Sequence, residues 1–198
     1  MDLVELSRYP IKGDINCIKF VDSNSLIVSD SNGVLRLMTF DTEFHAKHEW
    51  NPAQANNKST SNIYNFDIHE HGQIVTVTLD GSVNFFHMSE PKPIKQLSHF
   101  SSCSLWTVKF LKSPLQFLTG NNYGEVKLCD MNISECQTAK KFLLNGKLSA
   151  AKTIALNPLD ENIFLVGYSD GSLQVWDIRK EISPISKLNI HTSDGILL

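Results

Sequence analysis

Two histidine pairs, two serines beside glycines and one Trp-Asp dipeptide are this sequence's candidates for ligation or catalysis. His45 with His48, and His69 with His71, could begin a metal site. Zinc needs further ligands at short, regular spacing, and none follows. If residues 44–50 form a strand, His45 and His48 point to opposite faces and cannot share an ion. His69 and His71 flank a turn, His-Glu-His-Gly, where surface polar side chains are expected. Ser82 and Ser172 sit inside predicted hairpin turns. A nucleophile would need a base within reach and donors for an oxyanion, and no GxSxG elbow supplies that context. Phosphate-loop and dinucleotide fingerprints are missing too. The chain therefore reads as non-enzymatic, with no catalytic, cofactor or metal residue assigned.

Trp176 and Asp177 carry a structural message. The dipeptide closes an apolar strand, and Asp170 stands in a tight turn six residues before the tryptophan. An inward indole N–H needs a buried partner. The acid in the turn is suited to hold a neighbouring loop by hydrogen bonds.

The segments that carry these residues recur along the chain. Four times a glycine turn leads into a short alternating apolar strand: SNGVLRLMTF, LDGSVNFFHM, NYGEVKLCDM and SDGSLQVWDI. The glycines are Gly33, Gly81, Gly124 and Gly171, spaced by 48, 43 and 47 residues. Each turn joins two apolar runs, which predicts a β-hairpin. A third strand lies upstream of each hairpin, at residues 15–21, 63–69, 105–111 and 152–157. A fourth, more polar one lies downstream, at 44–50, 93–99, 138–144 and 184–190.

Four strands with a period in the forties make a β-propeller blade. The chain is predicted all-β, with blades at about 13–50, 63–99, 104–144 and 151–191 and a long Asn/Ser-rich loop over 51–62. Lys, His and Gln in the fourth strands suit a rim, where charge discourages edge pairing. LVELS at 3–7 resembles the outer strand of an earlier blade, and the tail from 190 resembles the approach to another. An open array is expected to leave apolar side chains uncovered in strands that hold Leu35, Leu37, Val175 and Ile178.

Composition narrows the function classes. A net charge of −3 with 18 Lys and Arg, clustered no further than Lys140–Lys141, does not fit binding by phosphate neutralisation. No apolar stretch approaches the ~20 residues that span a bilayer. The first residues, MDLVELSRYPIKGD, lack the pattern of a signal peptide. Cys17, Cys103, Cys129 and Cys136 form no CxxC pair and read as reduced thiols of a cytosolic or nuclear protein.

SDGSLQVWDIR, NYGEVKLCD and LDGSVNFF resemble the WD-repeat superfamily. Its repeat positions fall here on Gly33, Asp80, Gly81, Gly124, Asp130, Asp170, Gly171, Trp176 and Asp177. Cys129 and Phe86 stand where tryptophan is usual, and the usual Gly-His is reduced to Lys12–Gly13, His99 and His191, so no blade is expected to hold the full His–Ser/Thr–Asp–Trp network. The order of the segments, the insert at 51–62 and the stretch FLKSPLQFLTGNNYGEVKLCD resemble, more narrowly, the small WD-repeat nucleoporins of the Y-complex, the outer ring of the nuclear pore. That resemblance implies a seven-bladed propeller, of which these would be the second to fifth blades. It also implies docking to other nucleoporins, above all a helical scaffold nucleoporin, and a place at the nuclear envelope and, in mitosis, the kinetochore. An alternative rests on Trp176–Asp177–Ile178–Arg179, a WDxR stretch such as substrate receptors of cullin-type ubiquitin ligases present to their adaptor.

Overall fold

The computed structural model describes residues 7–52, 61–98, 100–132, 140–143 and 149–189. The expected strand piece over 3–6, most of the 51–62 loop, His99, Cys136, His191 and the tail from residue 190 lie outside them.

Among the described residues, sixteen strands form four antiparallel sheets of four, each a meander in sequence order. The first holds β1 (Ile15–Phe20), β2 (Ser25–Asp30), β3 (Leu35–Phe40) and β4 (Phe44–Trp50). The second holds β5 (Ile63–Ile68), β6 (Gln73–Thr78), β7 (Val83–His87) and β8 (Lys95–Leu97). The third holds β9 (Leu105–Phe110), β10 (Gln116–Asn121), β11 (Val126–Asp130) and β12 (Lys140–Phe142). The fourth holds β13 (Ala151–Leu156), β14 (Ile163–Tyr168), β15 (Ser172–Asp177) and β16 (Ser186–Asn189). In the second and fourth sheets the outer strand is shorter than the sequence pattern suggests. Pro93 and Pro184 cannot donate to a ladder, and pairing starts two residues beyond each.

The core lies between the sheets. Ile27, Leu35, Leu37 and Trp50 of the first sheet pack on Ile63, Phe66, Ile74 and Phe86 of the second. Val75, Val77, Val83 and Phe85 of the second pack on Leu105, Val108, Phe117 and Cys129 of the third. Leu118, Val126, Leu128 and Phe142 of the third pack on Ile154, Phe164, Val166 and Trp176 of the fourth. Adjacent residues of β6 serve opposite interfaces, Ile74 towards the first sheet and Val75 towards the third. This is why the strand is apolar without a polar alternation.

In the strands expected to carry uncovered side chains, Leu35 and Leu37 are buried against the second sheet, Val175 is half-buried and Ile178 packs on the cluster between the third and fourth; on the other face of the first sheet Ile18 and Phe20 of β1 are exposed, the latter 76%. The cross-strand register decides this, because it turns Leu35 and Leu37 to the same face as Cys17 and leaves Ile18 and Phe20 on the other.

The hairpin glycines explain how tightly successive sheets approach. Gly33, Gly81, Gly124 and Gly171 all have φ between 75° and 83°. A Cβ at Gly33, Gly81 or Gly124 would lie 2.4, 2.0 or 2.5 Å from the carbonyl oxygen of Ser61, Ser101 or Ser149, in the segment leading into the next sheet. Gly72 has a similar φ of 84° but meets only movable side-chain ends, the His87 ring at 3.3 Å and the Met88 methyl at 3.6 Å. Gly72→Ala is expected to cost about 1–2 kcal/mol, the left-handed backbone penalty. Gly81→Ala adds a clash with fixed backbone, so its melting temperature should fall further; a thermal melt of both variants checks the order.

Candidate interaction site

The four inner strands stand side by side and share one irregularity. In each sheet the pairing of the inner strand with the next skips its second residue: Asn16, Tyr64, Trp106 and Lys152. A β-bulge of this kind re-aims the unpaired side chain. Here the four are brought into a row across the sheets. The Asn16 amide donates to Asn62 Oδ1 (2.6 Å) and the Ile63 carbonyl (2.9 Å). Tyr64 and Trp106 meet edge to face with centroids 4.6 Å apart. Lys152 Nζ lies 3.1 Å from the centre of the Trp106 ring. Three residues further along, the same strands carry Lys19, Asp67 and Lys109. Asp67 is buried and accepts from Lys19 Nζ (2.7 Å), Lys109 Nζ (3.1 Å) and the Phe110 N–H (2.9 Å). The carboxylate thus joins three sheets. Sequence reading missed these residues, although their equivalent positions in INCIKF, IYNFDI, LWTVKF and AKTIAL were a usable signal.

The repeat acids lie at turns. Asp80 Oδ1 accepts from Thr78 Oγ1 and the Ser82 N–H; Asp170 Oδ1 accepts from the Ser172 N–H (3.0 Å) and hydroxyl (2.6 Å). Burial works against the Asp80 carboxylate, yet the hydrogen bonds from Thr78 and Ser82 hold it below its usual value. Asp170 Oδ1 closes its own turn, and the neighbouring segment is tied to that turn by Ser149 Oγ, which accepts from the Asp170 N–H at 3.0 Å. Asp30 and Asn121, not singled out from sequence, close the first and third hairpins in the same manner. Asp130 Oδ1 and Asp177 Oδ1 accept the N–H two residues on, from Asn132 and Arg179.

Trp176 is fully buried and packs on Phe142 at 5.6 Å. The equivalent positions Met38, Phe86 and Cys129 are buried as well, so an apolar side chain of any shape fills this place. The Trp176 indole adjoins the Tyr168 hydroxyl, and neither atom reaches full hydrogen-bond geometry with a partner among the described residues. Burial pushes the Tyr168 hydroxyl up to about 12, against the influence of the indole.

Two lysines of the outer strands tether the next sheet: Lys95 Nζ donates to the Met131 carbonyl (2.6 Å) and Lys140 Nζ to the Ile178 carbonyl (3.1 Å). The rim charge expected to discourage edge pairing therefore also joins blades.

The histidines fall differently from expectation. A register skip at Lys47 pairs His48 with Leu37 and His45 with Thr39, so both histidines share a face. His48 packs edge-on to Trp50 at 4.3 Å. His69 is buried rather than at the surface, with Nε2 3.0 Å from the Lys112 carbonyl. Among the described residues no group of three His, Cys, Asp or Glu is placed to hold a metal ion, and no helix is long and apolar enough to cross a membrane. Cys17 and Cys103 are half-buried and Cys129 is buried, all as free thiols. Arg179 of the WDxR stretch folds back on Asp177 through Nε–Oδ1 (2.8 Å) and Nη2–Oδ2 (2.7 Å), which holds the Asp177 carboxyl down to about 2.

Four such sheets, stacked through their faces with inner strands adjacent, have the arrangement of β-propeller blades. The chain superimposes on the crystal structure of Chaetomium thermophilum Raptor with a TM-score of 0.79 and 15% identity, over 94% of this chain and 18% of that one. In sequence it is similar to Nucleoporin Nup43 of Mus musculus, 23% identical over 190 residues, 92% of this chain and 50% of that protein. It is similar also to the nuclear pore complex protein NUP43 of Arabidopsis thaliana, 27% identical over 172 residues, 84% of this chain and 48% of that one. The chain thus spans about half the length of these relatives. No protein-family model matches it.

Removing the Asp67 carboxylate strands the Phe110 N–H and sets two lysines against each other. Asp67→Ala should cost about 2–3 kcal/mol in denaturant unfolding, below the ~3–5 of a fully buried pair because both lysines are partly solvated. Tyr168 ionises more easily in the unfolded chain, at its ordinary value of 10, than in the folded one at about 12. Its contribution to stability is therefore lost as pH rises from 10 to 12. Melting temperatures of Tyr168→Phe should fall less steeply over that window than those of the wild type.

Proposed function

We propose that the chain is a non-enzymatic scaffold component of the nuclear pore complex, acting as a protein-interaction platform at the nuclear envelope. The observation that carries this reading is the extent of the similarity to Nup43. It runs over 92% of the chain, so it touches all four blades and is not confined to one WD dipeptide that any propeller could share. The architecture suits the role, because blades tied face to face form a stiff support on which loops and inner strands present side chains. The finer form of the proposal is membership of the Y-complex, docking on a helical scaffold nucleoporin and passage to kinetochores in mitosis.

The ligase-receptor alternative is less well supported. Its hook, Arg179, is held bidentately by Asp177, so the guanidinium serves its own turn. A tagged chain expressed in its native cells should give a nuclear-rim signal and co-purify with nucleoporins, at normal levels in Arg179→Ala. Diffuse signal with recovery of a cullin adaptor would overturn the proposal.

A further inference from the structure

Two serines of this chain precede a proline, Ser113 before Pro114 and Ser183 before Pro184, and the structure treats them oppositely. Ser113 lies in the turn between β9 and β10 and is half-buried. Its carbonyl accepts from the Gln116 N–H at 3.1 Å and its hydroxyl from the Leu115 N–H at 3.3 Å. Backbone and side chain are therefore both tied into the turn. Ser183 lies in the connection from β15 to β16, at the outer edge of the fourth blade, and is exposed. Its hydroxyl makes no hydrogen bond among the described residues. Backbone bonds hold the connection at its two ends, from the Lys180 N–H to the Asp177 carbonyl (2.8 Å) and from the Ile185 N–H to the Val175 carbonyl (2.7 Å). Between them, among the described residues, 181–184 make none. The neighbouring Ile182 is 94% exposed, so packing does not hold the stretch either. It can leave the surface without breaking a ladder bond. Pro184 keeps Ser183 in extended backbone and has no N–H of its own to satisfy. An extended, unbonded serine followed by proline is the form a proline-directed kinase cleft takes. Ser113 shares the proline but is neither free nor exposed. Lys180 and Lys187 stand exposed on either side of Ser183, whereas Glu181 faces Lys140 of the third blade at 3.9 Å.

We propose that Ser183 is a phosphorylation site for a proline-directed serine kinase, and that Ser113 is not one in the folded chain. Ser183 Oγ attacks the γ-phosphorus of ATP. The new O–P bond forms as the bridging bond to the β-phosphate breaks, and ADP leaves with the electron pair. The hydroxyl proton passes to the catalytic aspartate of the kinase. The product adds about −1.5 to −2 charges between Lys180 and Lys187 and removes the positive excess of this edge. The inference goes beyond the nuclear-pore reading and does not depend on it, because phosphate on a serine is measured whatever partners co-purify.

The test has two arms. The purified whole chain is incubated with a proline-directed kinase, magnesium and ATP, and phosphate is mapped by tandem mass spectrometry. In parallel, the tagged chain is recovered from its native cells with phosphatases inhibited and is mapped in the same way. Ser183 should carry phosphate in both. In the purified chain it should be labelled about tenfold faster than Ser113, which reacts only when its turn opens. Synthetic peptides spanning 108–119 and 178–189 should lose that difference, which places it in the fold. Pro184→Ala leaves the hydroxyl in place on an exposed connection and should slow labelling about tenfold, a loss of recognition in kcat/KM. An unmodified Ser183 in the native chain, or labelling of Ser113 as fast as Ser183 in the folded protein, would overturn the inference. So would labelling of Ser183 that is unaffected by Pro184→Ala, which would mark a kinase directed by Lys180 instead.

Discussion

Each sheet of this protein has two faces, and the inner blades carry apolar side chains on both. Among the described residues no layer of helices covers them. A blade is therefore stable only against another blade, and every other feature depends on that constraint. Burying a side chain such as Phe86 or Phe117 is worth about 1.5–3 kcal/mol, and the three clusters between blades hold many of them. An isolated four-stranded sheet of this composition would lose that contribution, because each cluster is formed between two sheets.

Apolar faces are non-directional, so they do not by themselves set how one blade sits on the next. Polar contacts at three depths do. At the hairpin end, glycines let the turns of the first three blades touch serine carbonyls of the following one. On the inner surface, Asp67 joins Lys19 and Lys109. At the outer edge, Lys95 and Lys140 each reach a carbonyl just beyond the third strand of the next blade. These contacts recur at equivalent places, which gives the array a common spacing although the residues that fill the core vary. Met38, Phe86, Cys129 and Trp176 occupy one position with four different shapes. Packing volume tolerates that variation better than the backbone contacts tolerate a Cβ.

The same economy separates support from recognition. Asp80, Asp170, Asp130 and Asp177 are occupied with their own turns. The residues of the inner row are different. Their bulges release them from the ladder, and their contacts run between blades. A rigid array with a few re-aimed side chains is compatible with the role proposed above, although the fold by itself does not assign one.

The glycine period, the apolar alternation and the turn chemistry were legible in the chain itself, because each is local: a left-handed φ at Gly81 or an alternating β3 depends on neighbours a few residues away. The number of sheets, their strand order and the hairpin positions of Gly33, Gly81, Gly124 and Gly171 follow from that. What depended on register was not legible. One skipped residue at Lys47 put His45 and His48 on a shared face, and the pairing of β1 with β2 left Phe20 in the open and Leu35 in the core. The candidate site was hidden for the same reason. Asn16, Tyr64, Trp106 and Lys152 are more than forty residues apart in sequence and read singly as ordinary strand residues. Only the stacking of inner strands, driven by apolar faces that have no other cover, brings them side by side.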